Sequence, residues 1–223
     1  MVILNKYKIC AYAICKNEEA FVDRWMDGVK EADLVVVTDT GSTDGTVEKL
    51  RGHGTVVHTE TVDPWRFDSA RNIAMGHIPE DMDICVSSDL DEVFEPGWRE
   101  KLEDVWQPCH TRARYTFVWS RGNGENDINQ FPMEKIHRRH GFRWVHPVHE
   151  VLTYSGSDPE NTVWIPGLVL NHYPDNSKPR SQYLPLLELS VLENPEDSQA
   201  VFWLGREYMF HGLYDKCIDT LTK

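Results

Sequence analysis

Asp89 and Asp91 stand two residues apart where the apolar run from Met82 to Val86 ends, in the segment Val86-Ser87-Ser88-Asp89-Leu90-Asp91-Glu92. A strand turns its side chains to alternate faces, so two acids at this spacing can point the same way from a strand's carboxyl end. Carboxylates that face one another repel unless a positive charge sits between them, and a hard divalent cation with oxygen ligands is the usual partner. An acidic surface turn, with Asp91 or Glu92 capping a following helix, accounts for the same residues.

The surrounding pattern decides where such acids would sit. Tyr7 to Cys15 reads as a strand, and Lys16-Asn17-Glu18-Glu19 opens a helical pattern through Phe21, Val22, Trp25, Met26 and Val29, with Asn17 as its expected cap. Leu34 to Thr38 is a continuous apolar run of the kind found in a buried parallel strand. A loop of turn and capping residues, Asp39 to Thr46, then leads into a short helix near Val47 to Leu50. Thr55 to His58 and Asp83 to Ser88 read as strands, and Ser69 to Met75 as a helix between them. This alternation predicts a mostly parallel sheet with helices on both faces. Ligands of such sheets gather beyond the carboxyl ends of the strands, where Asp39 and Asp89 both fall.

After a helix over Trp98 to Trp106 the pattern shifts to strands at Ala113 to Trp119, Lys135 to His137 and Val163 to Leu170, read as an antiparallel extension carrying the acceptor side of a cleft. From Pro179 onward the chain reads as helical, and Val201, Leu204, Gly205, Tyr208, Gly212, Tyr214, Cys217 and Leu221 fit the spacing of a tetratricopeptide repeat. An ordinary helical hairpin fits them too. A lone repeat cannot bury its own face, so it must lean on the preceding domain or belong to a longer chain, and truncation is the favoured reading.

The formal charge of -13 on 223 residues argues against a general nucleic-acid surface. A local basic site for a phosphate ligand stays open, with Arg112 and Arg114, or Lys135 with Arg138 and Arg139, as its candidates beside the reading of solvated surface charge. No stretch approaches the roughly 20 apolar residues of a membrane span, and Met1 to Lys8 does not read as a secretion signal. Five widely spaced cysteines suggest reduced thiols and a cytoplasmic setting, and they form no zinc pattern.

The ordered set Cys15-Lys16-Asn17-Glu18, Asp39-Thr40-Gly41-Ser42-Thr43-Asp44-Gly45-Thr46, Phe67-Asp68-Ser69-Ala70-Arg71-Asn72 and Asp89-Leu90-Asp91-Glu92 resembles family 2 glycosyltransferases of the GT-A fold. The resemblance is fullest over residues 7–95 and thins toward residue 175. It implies an α/β, Rossmann-like, mostly parallel sheet flanked by helices, with a small antiparallel extension and a C-terminal helical hairpin. Some bacterial and phage members carry tetratricopeptide repeats behind the transferase domain, which implies a transferase domain over 1–178 and a repeat-like segment, truncated, over 179–223.

By the same resemblance, Asp39 lies beside the base or ribose of a nucleotide, with Lys16, Asn17 and Glu18 on that side, while Asp44 caps the next helix. Arg71 lines the nucleotide side, a solvent-facing helix arginine being the alternative. Asp89 contacts the ribose, the metal or its water, and Asp91 binds the cation directly. Glu150, in His146-Pro147-Val148-His149-Glu150, matches the place of the catalytic base; His149 competes for that role or orients Glu150, and an ordinary salt bridge is the plain alternative. His172 resembles the late histidine that completes metal coordination and favours manganese over magnesium, a structural histidine at a strand end being the alternative. Trp65, Trp119 and Trp144 offer aromatic faces to a sugar or serve as core.

The expected activity is therefore a metal-dependent, inverting transfer of a sugar from a nucleoside-diphosphate donor, a UDP-sugar foremost, to an unspecified acceptor nucleophile. A repeat scaffold that binds a protein partner through an inactive transferase-like half, and a nucleotidyltransferase, are the competing classes.

Overall fold

The computed structural model describes residues 6–120, 128–174 and 183–222. Its first half is parallel: β1 (Ile9–Cys15), β2 (Leu34–Asp39), β3 (Val56–Thr59) and β4 (Ile84–Ser87) alternate with α1 (Val22–Val29), α2 (Thr46–Gly52) and α3 (Phe67–Gly76). There follow β5 (Glu92–Phe94), α4 (Trp98–Val105), β6 (Arg112–Ser120), β7 (Ile128–Arg138), β8 (Phe142–Val145), β9 (Val151–Tyr154) and β10 (Thr162–His172). Eight strands share one sheet in the order β3-β2-β1-β4-β7-β6-β10-β5, and β8 and β9 form a small antiparallel sheet. The extension is antiparallel where β7 meets β4 and β6 and where β5 meets β10, but β10 runs parallel to β6.

Period-two alternation along β1 splits the core in two. Ile9, Ala11, Ala13 and Cys15 face one side with Trp25 of α1 and Trp98 and Leu102 of α4, whereas Cys10 and Tyr12 face the other with Ala74 of α3 and Ile78. The sheet is thus covered on both faces, as the alternation of strands and helices predicts. In α1, Val22, Trp25, Met26 and Val29 occupy one helical face and are buried.

Two expectations need correction. Asn17 does not cap α1: the helix starts only at Val22, while Asn17 takes a left-handed backbone (φ 55°) and its Oδ1 accepts the Thr43 N–H at 2.7 Å. The acids Asp89 and Asp91 do not extend a strand either, because β4 ends at Ser87 and the chain turns, with Glu92 N–H donating to the Asp89 carbonyl at 2.8 Å. The short strands β5, β8 and β9 have three or four residues each, too few to register as a period in the sequence.

Beyond these lie α5 (Tyr183–Glu193), α6 (Ser198–Phe210) and α7 (Tyr214–Leu221). Pro179 and the expected boundary after residue 178 fall outside the described residues. Leu186, Leu187, Leu204 and Tyr208 of α5 and α6 bury themselves against Val148, so the helices lean on the sheet domain. A Cβ on Gly205 would lie 2.6 Å from Leu221, and this lets α7 lie close against α6. Among the described residues no helix is long and apolar enough to cross a membrane.

Candidate active site

The parallel register places β1 between β2 and β4, with Cys15 opposite Asp39 and Tyr12 opposite Ser87, so the loops after all three strands share one edge. On the β2 side the loops after β1 and β2 lock together. Asn17 N–H donates to Ser42 Oγ at 2.8 Å, and Glu18 N–H to Thr46 Oγ1 at 2.8 Å. Asp39, 2% exposed, turns its carboxylate inward to accept the N–H groups of Gly41 and Ser42 at 3.1 to 3.2 Å. Asp44 accepts the Thr46 N–H at 3.1 Å, from one residue before Gly45, which holds the cap position of α2 expected of Asp44. Lys16 is exposed.

On the β4 side, Arg71 from α3 is the hub. Its Nη2 donates to both oxygens of Asp89 at 2.8 and 3.1 Å, and its Nε to Glu150 Oε1 at 2.5 Å. Its guanidinium lies 5.0 Å over the Trp144 ring. Its Nη1 is buried with no hydrogen-bond partner among the described residues. Lys135 on β7 completes the cluster, its Nζ 3.4 Å from Asp89 Oδ2 and 2.9 Å from Glu92 Oε1, while Glu92 Oε2 accepts the Asp89 N–H at 2.9 Å. Burial opposes the charge on Asp89, but Arg71 and Lys135 outweigh it and hold that carboxyl well below the usual carboxylate range. Burial raises Glu92, with the Asp89 charge adding to it and Lys135 opposing. Lys135 is disfavoured as a cation by burial yet held above its usual value by Asp89 and Glu92.

A chain of buried hydrogen bonds supports Trp144 beneath Arg71. Trp144 Nε1–H donates to Tyr12 Oη at 3.0 Å, and Tyr12 O–H pairs with His137 Nε2 at 3.0 Å. His137 Nδ1 pairs with the Arg138 carbonyl at 2.7 Å. Burial pulls the His137 pKa down to about 3, so the ring is neutral, with Nδ1–H donating and Nε2 accepting. Asn72 clamps the Trp144 backbone from both sides, at 2.8 and 2.9 Å.

Asp91 meets His172 because β5 and β10 pair with Glu92 opposite His172. His172 Nε2 lies 3.3 Å from Asp91 Oδ2, and the Tyr173 N–H donates to the Asp91 carbonyl at 2.7 Å. Trp119 stacks on the imidazole at 4.2 Å, and His172 Nδ1 is buried without a hydrogen-bond partner among the described residues. This oxygen and nitrogen pair suits manganese, which accepts imidazole and carboxylate alike. Asp89, expected as a third ligand, is turned to Arg71 and Lys135 instead, and among the described residues no three His, Cys, Asp or Glu side chains gather as a metal site. A two-residue set fits an ion that takes its remaining ligands from substrate phosphates and water.

His149 has a left-handed backbone (φ 53°) and packs its ring 4.8 Å from Trp203. Of the basic residues weighed for phosphate, only Lys135 reaches the acids. Arg112 and Arg114 pair with Glu134, Arg138 with Asp158, and Arg139 with Glu80. Trp65 packs against Phe67. Sequence reasoning did not foresee Glu92 or the aim of Lys135; the signal it offered was a lysine inside the strand read at Lys135 to His137.

Comparison with known proteins adds the following. The family described as Glycosyl transferase family 2 matches residues 11–149. The lipopolysaccharide core biosynthesis glycosyltransferase LpsC of Rhizobium meliloti is 26% identical over 107 residues, which cover 46% of this chain and 38% of that protein. The chain therefore spans well under half the length of that relative. Glucosyl-3-phosphoglycerate synthase from Mycobacterium tuberculosis, solved with Mn2+, uridine diphosphate and glucosyl-3-phosphoglycerate, superposes with a TM-score of 0.52 at 16% identity, over 81% of this chain and 76% of that one. The same enzyme solved with Mn2+, UDP-glucose and phosphoglyceric acid gives 0.52 at 15% identity. These likenesses establish a common fold.

Proposed function

The chain belongs to glycosyl transferase family 2, and from that premise we propose that it transfers a sugar from a nucleoside-diphosphate donor, a UDP-sugar foremost, to an acceptor nucleophile by metal-dependent single displacement with inversion. The observation that carries this reading is the Arg71 bridge: one guanidinium holds Asp89, on the donor side, and Glu150, the candidate base. Acids from two separate segments, the turn after β4 and the loop before β9, thereby meet on one arginine.

Glu150 receives the acceptor's proton. Arg71 occupies its Oε1 and leaves Oε2 for that task, while fixing the direction from which the acceptor must approach. Asp91 and His172 are the residues that would hold a divalent cation, which would supply charge stabilisation to the departing diphosphate. Trp119, stacked on His172, fixes the imidazole. Asp39, with the Lys16-Asn17-Glu18 turn beside it, borders the nucleoside. In this reading residues 1–178 are the transferase domain and 179–223 a tetratricopeptide-like segment open to a protein partner, with Phe210, Tyr214 and Ile218 exposed. The free cysteines among the described residues accord with a cytoplasmic setting.

The test is to incubate the protein with manganese and UDP-glucose, UDP-N-acetylglucosamine or GDP-mannose and to identify the nucleotide released. Sugar transfer yields a nucleoside diphosphate, removal of manganese by a chelator stops it, and Asp91→Ala lowers turnover by about a hundredfold, about 3 kcal/mol of transition-state stabilisation. Release of pyrophosphate instead, or full turnover in Asp91→Ala, overturns the assignment.

A further inference from the structure

Glu150 ends a loop whose shape is imposed from outside the sheet. His146 (φ 76°) and His149 (φ 53°) both take the left-handed backbone that residues with a Cβ avoid, so surrounding contacts must hold them there. Those contacts come from α5 and α6. His146 Nδ1 lies 3.2 Å from Ser190 Oγ on α5, and its Nε2 lies 3.3 Å from Asp197 Oδ2 at the start of α6. The other oxygen of Asp197 caps α6 by accepting the Gln199 and Ala200 N–H groups at 2.9 and 3.1 Å. The His149 ring sits against Tyr183 of α5 and Trp203 of α6, at 5.7 and 4.8 Å. Between the two histidines, Val148 is 2% exposed within the apolar cluster of the same helices.

The grip extends to the arginine. The Pro147 carbonyl accepts the Phe67 N–H at 2.9 Å, at the start of α3 and one turn before Arg71. Arg66 pairs with Glu193 of α5 and with Asp68. Helices α5 and α6 together therefore touch both segments whose side chains meet in the Arg71–Glu150 pair.

We propose that α5 and α6 are a working part of the reaction centre: Ser190, Asp197 and Trp203 are positioning residues that, through His146 and His149, hold loop 146–150 in the shape that aims Glu150 at the acceptor. The proposal rests on Glu150 as base. A fastening that served packing alone would spread its effect over stability; this one acts on the placement of a single carboxylate, and a displacement of about 1 Å costs roughly a hundredfold in rate.

The experiment uses the full chain carrying Ser190→Ala with Asp197→Asn. Asparagine still caps α6, but the carboxylate and the hydroxyl facing His146 are gone. Amide exchange of residues 148–150 and of the Phe67 N–H is expected to quicken by about tenfold, with the melting temperature within about 3 °C of the parent. With whichever of UDP-glucose, UDP-N-acetylglucosamine or GDP-mannose serves as donor, kcat falls about 10- to 100-fold while KM for the donor stays within about twofold. In a Glu150→Gln background the same pair of changes costs less than about twofold, since the group they aim is already lost. Unchanged exchange, or unchanged kcat, overturns the proposal. Should the double variant unfold, Trp203→Leu, which keeps apolar bulk but removes the ring facing His149, carries the same readouts. If Glu150→Gln alone retains full kcat, the base assignment falls, and the exchange measurement still decides whether the helices hold the loop.

Discussion

Replacing Arg71 by methionine removes the cation shared by Asp89 and Glu150. The arginine side chain is 6% exposed, Glu150 13% and Asp89 32%. Taking away one partner of a buried pair costs about 3 to 5 kcal/mol, because the charge left behind is neither solvated nor matched. Asp89 keeps Lys135 at 3.4 Å and some contact with solvent, which places the expected loss at the lower end, about 3 kcal/mol. For a chain of this length that lowers the melting temperature by roughly 6 to 12 °C at pH 7. The pH dependence has a definite sign. Despite burial, Arg71 and Lys135 depress the folded-state pKa of Asp89 below its unfolded value. Its stabilisation is therefore complete above the unfolded value of about 3.9 and is lost as pH falls through the folded one. The gap between parent and Arg71→Met should be full at pH 7 and should narrow below about pH 4. Thermal unfolding followed by circular dichroism at both pH values measures it. A drop under about 2 °C at pH 7, or a gap that widens on acidification, refutes the reasoning. Arg71→Lys should fall between the two, since a point charge cannot reproduce the fork that holds both carboxylates.

Glu150→Gln keeps an oxygen for Arg71 but cannot take a proton, so kcat for diphosphate release should fall about 10²- to 10⁴-fold with the melting temperature nearly unchanged. Burial lowers the folded-state pKa of His137 to about 3 from an ordinary 6.5, so the unfolded chain binds the extra proton between those values. Stability present above pH 6.5 should then be lost on acidification, about 2 kcal/mol between pH 7 and pH 5, and urea titrations of His137→Gln should show a flatter acid limb. Equal pH dependence in parent and variant contradicts this. A Cβ on Gly28 would lie 2.9 Å from Val93 Cγ1 and 3.1 Å from the Phe94 nitrogen, so Gly28→Val forces α1 away from β5. A cost of about 2 kcal/mol is expected, read as a lower urea midpoint at unchanged slope.

Much of the parallel half was legible because its signals are local. The apolar run at Leu34 to Thr38 is of the kind found in a buried parallel strand, and Val22, Trp25, Met26 and Val29 repeat at helical spacing. Asp39 and Asp89 follow such runs, so their shared edge was implied by alternation alone. The turn at Asp89 to Glu92 was not legible, because the two-residue spacing of its acids serves a strand end and a tight turn equally well. Asn17 misled for a similar reason: its side chain suits a helix cap, and a partner in the next loop claimed it.

Sequence by itself determined the order of strands and helices in the parallel half, the edge on which the acids collect and the motifs that mark the family, since each depends on residues a few positions apart. Only the tertiary structure decided that Arg71 bridges Asp89 and Glu150, that Lys135 faces Asp89 and Glu92, that His172 meets Asp91, and that α5 and α6 grip the loop before Glu150. Arg71 and Glu150 are 79 residues apart, and His172 reaches Asp91 through strand register. Contacts of that range follow from how sheets pair and helices pack, and no local pattern of side chains encodes them.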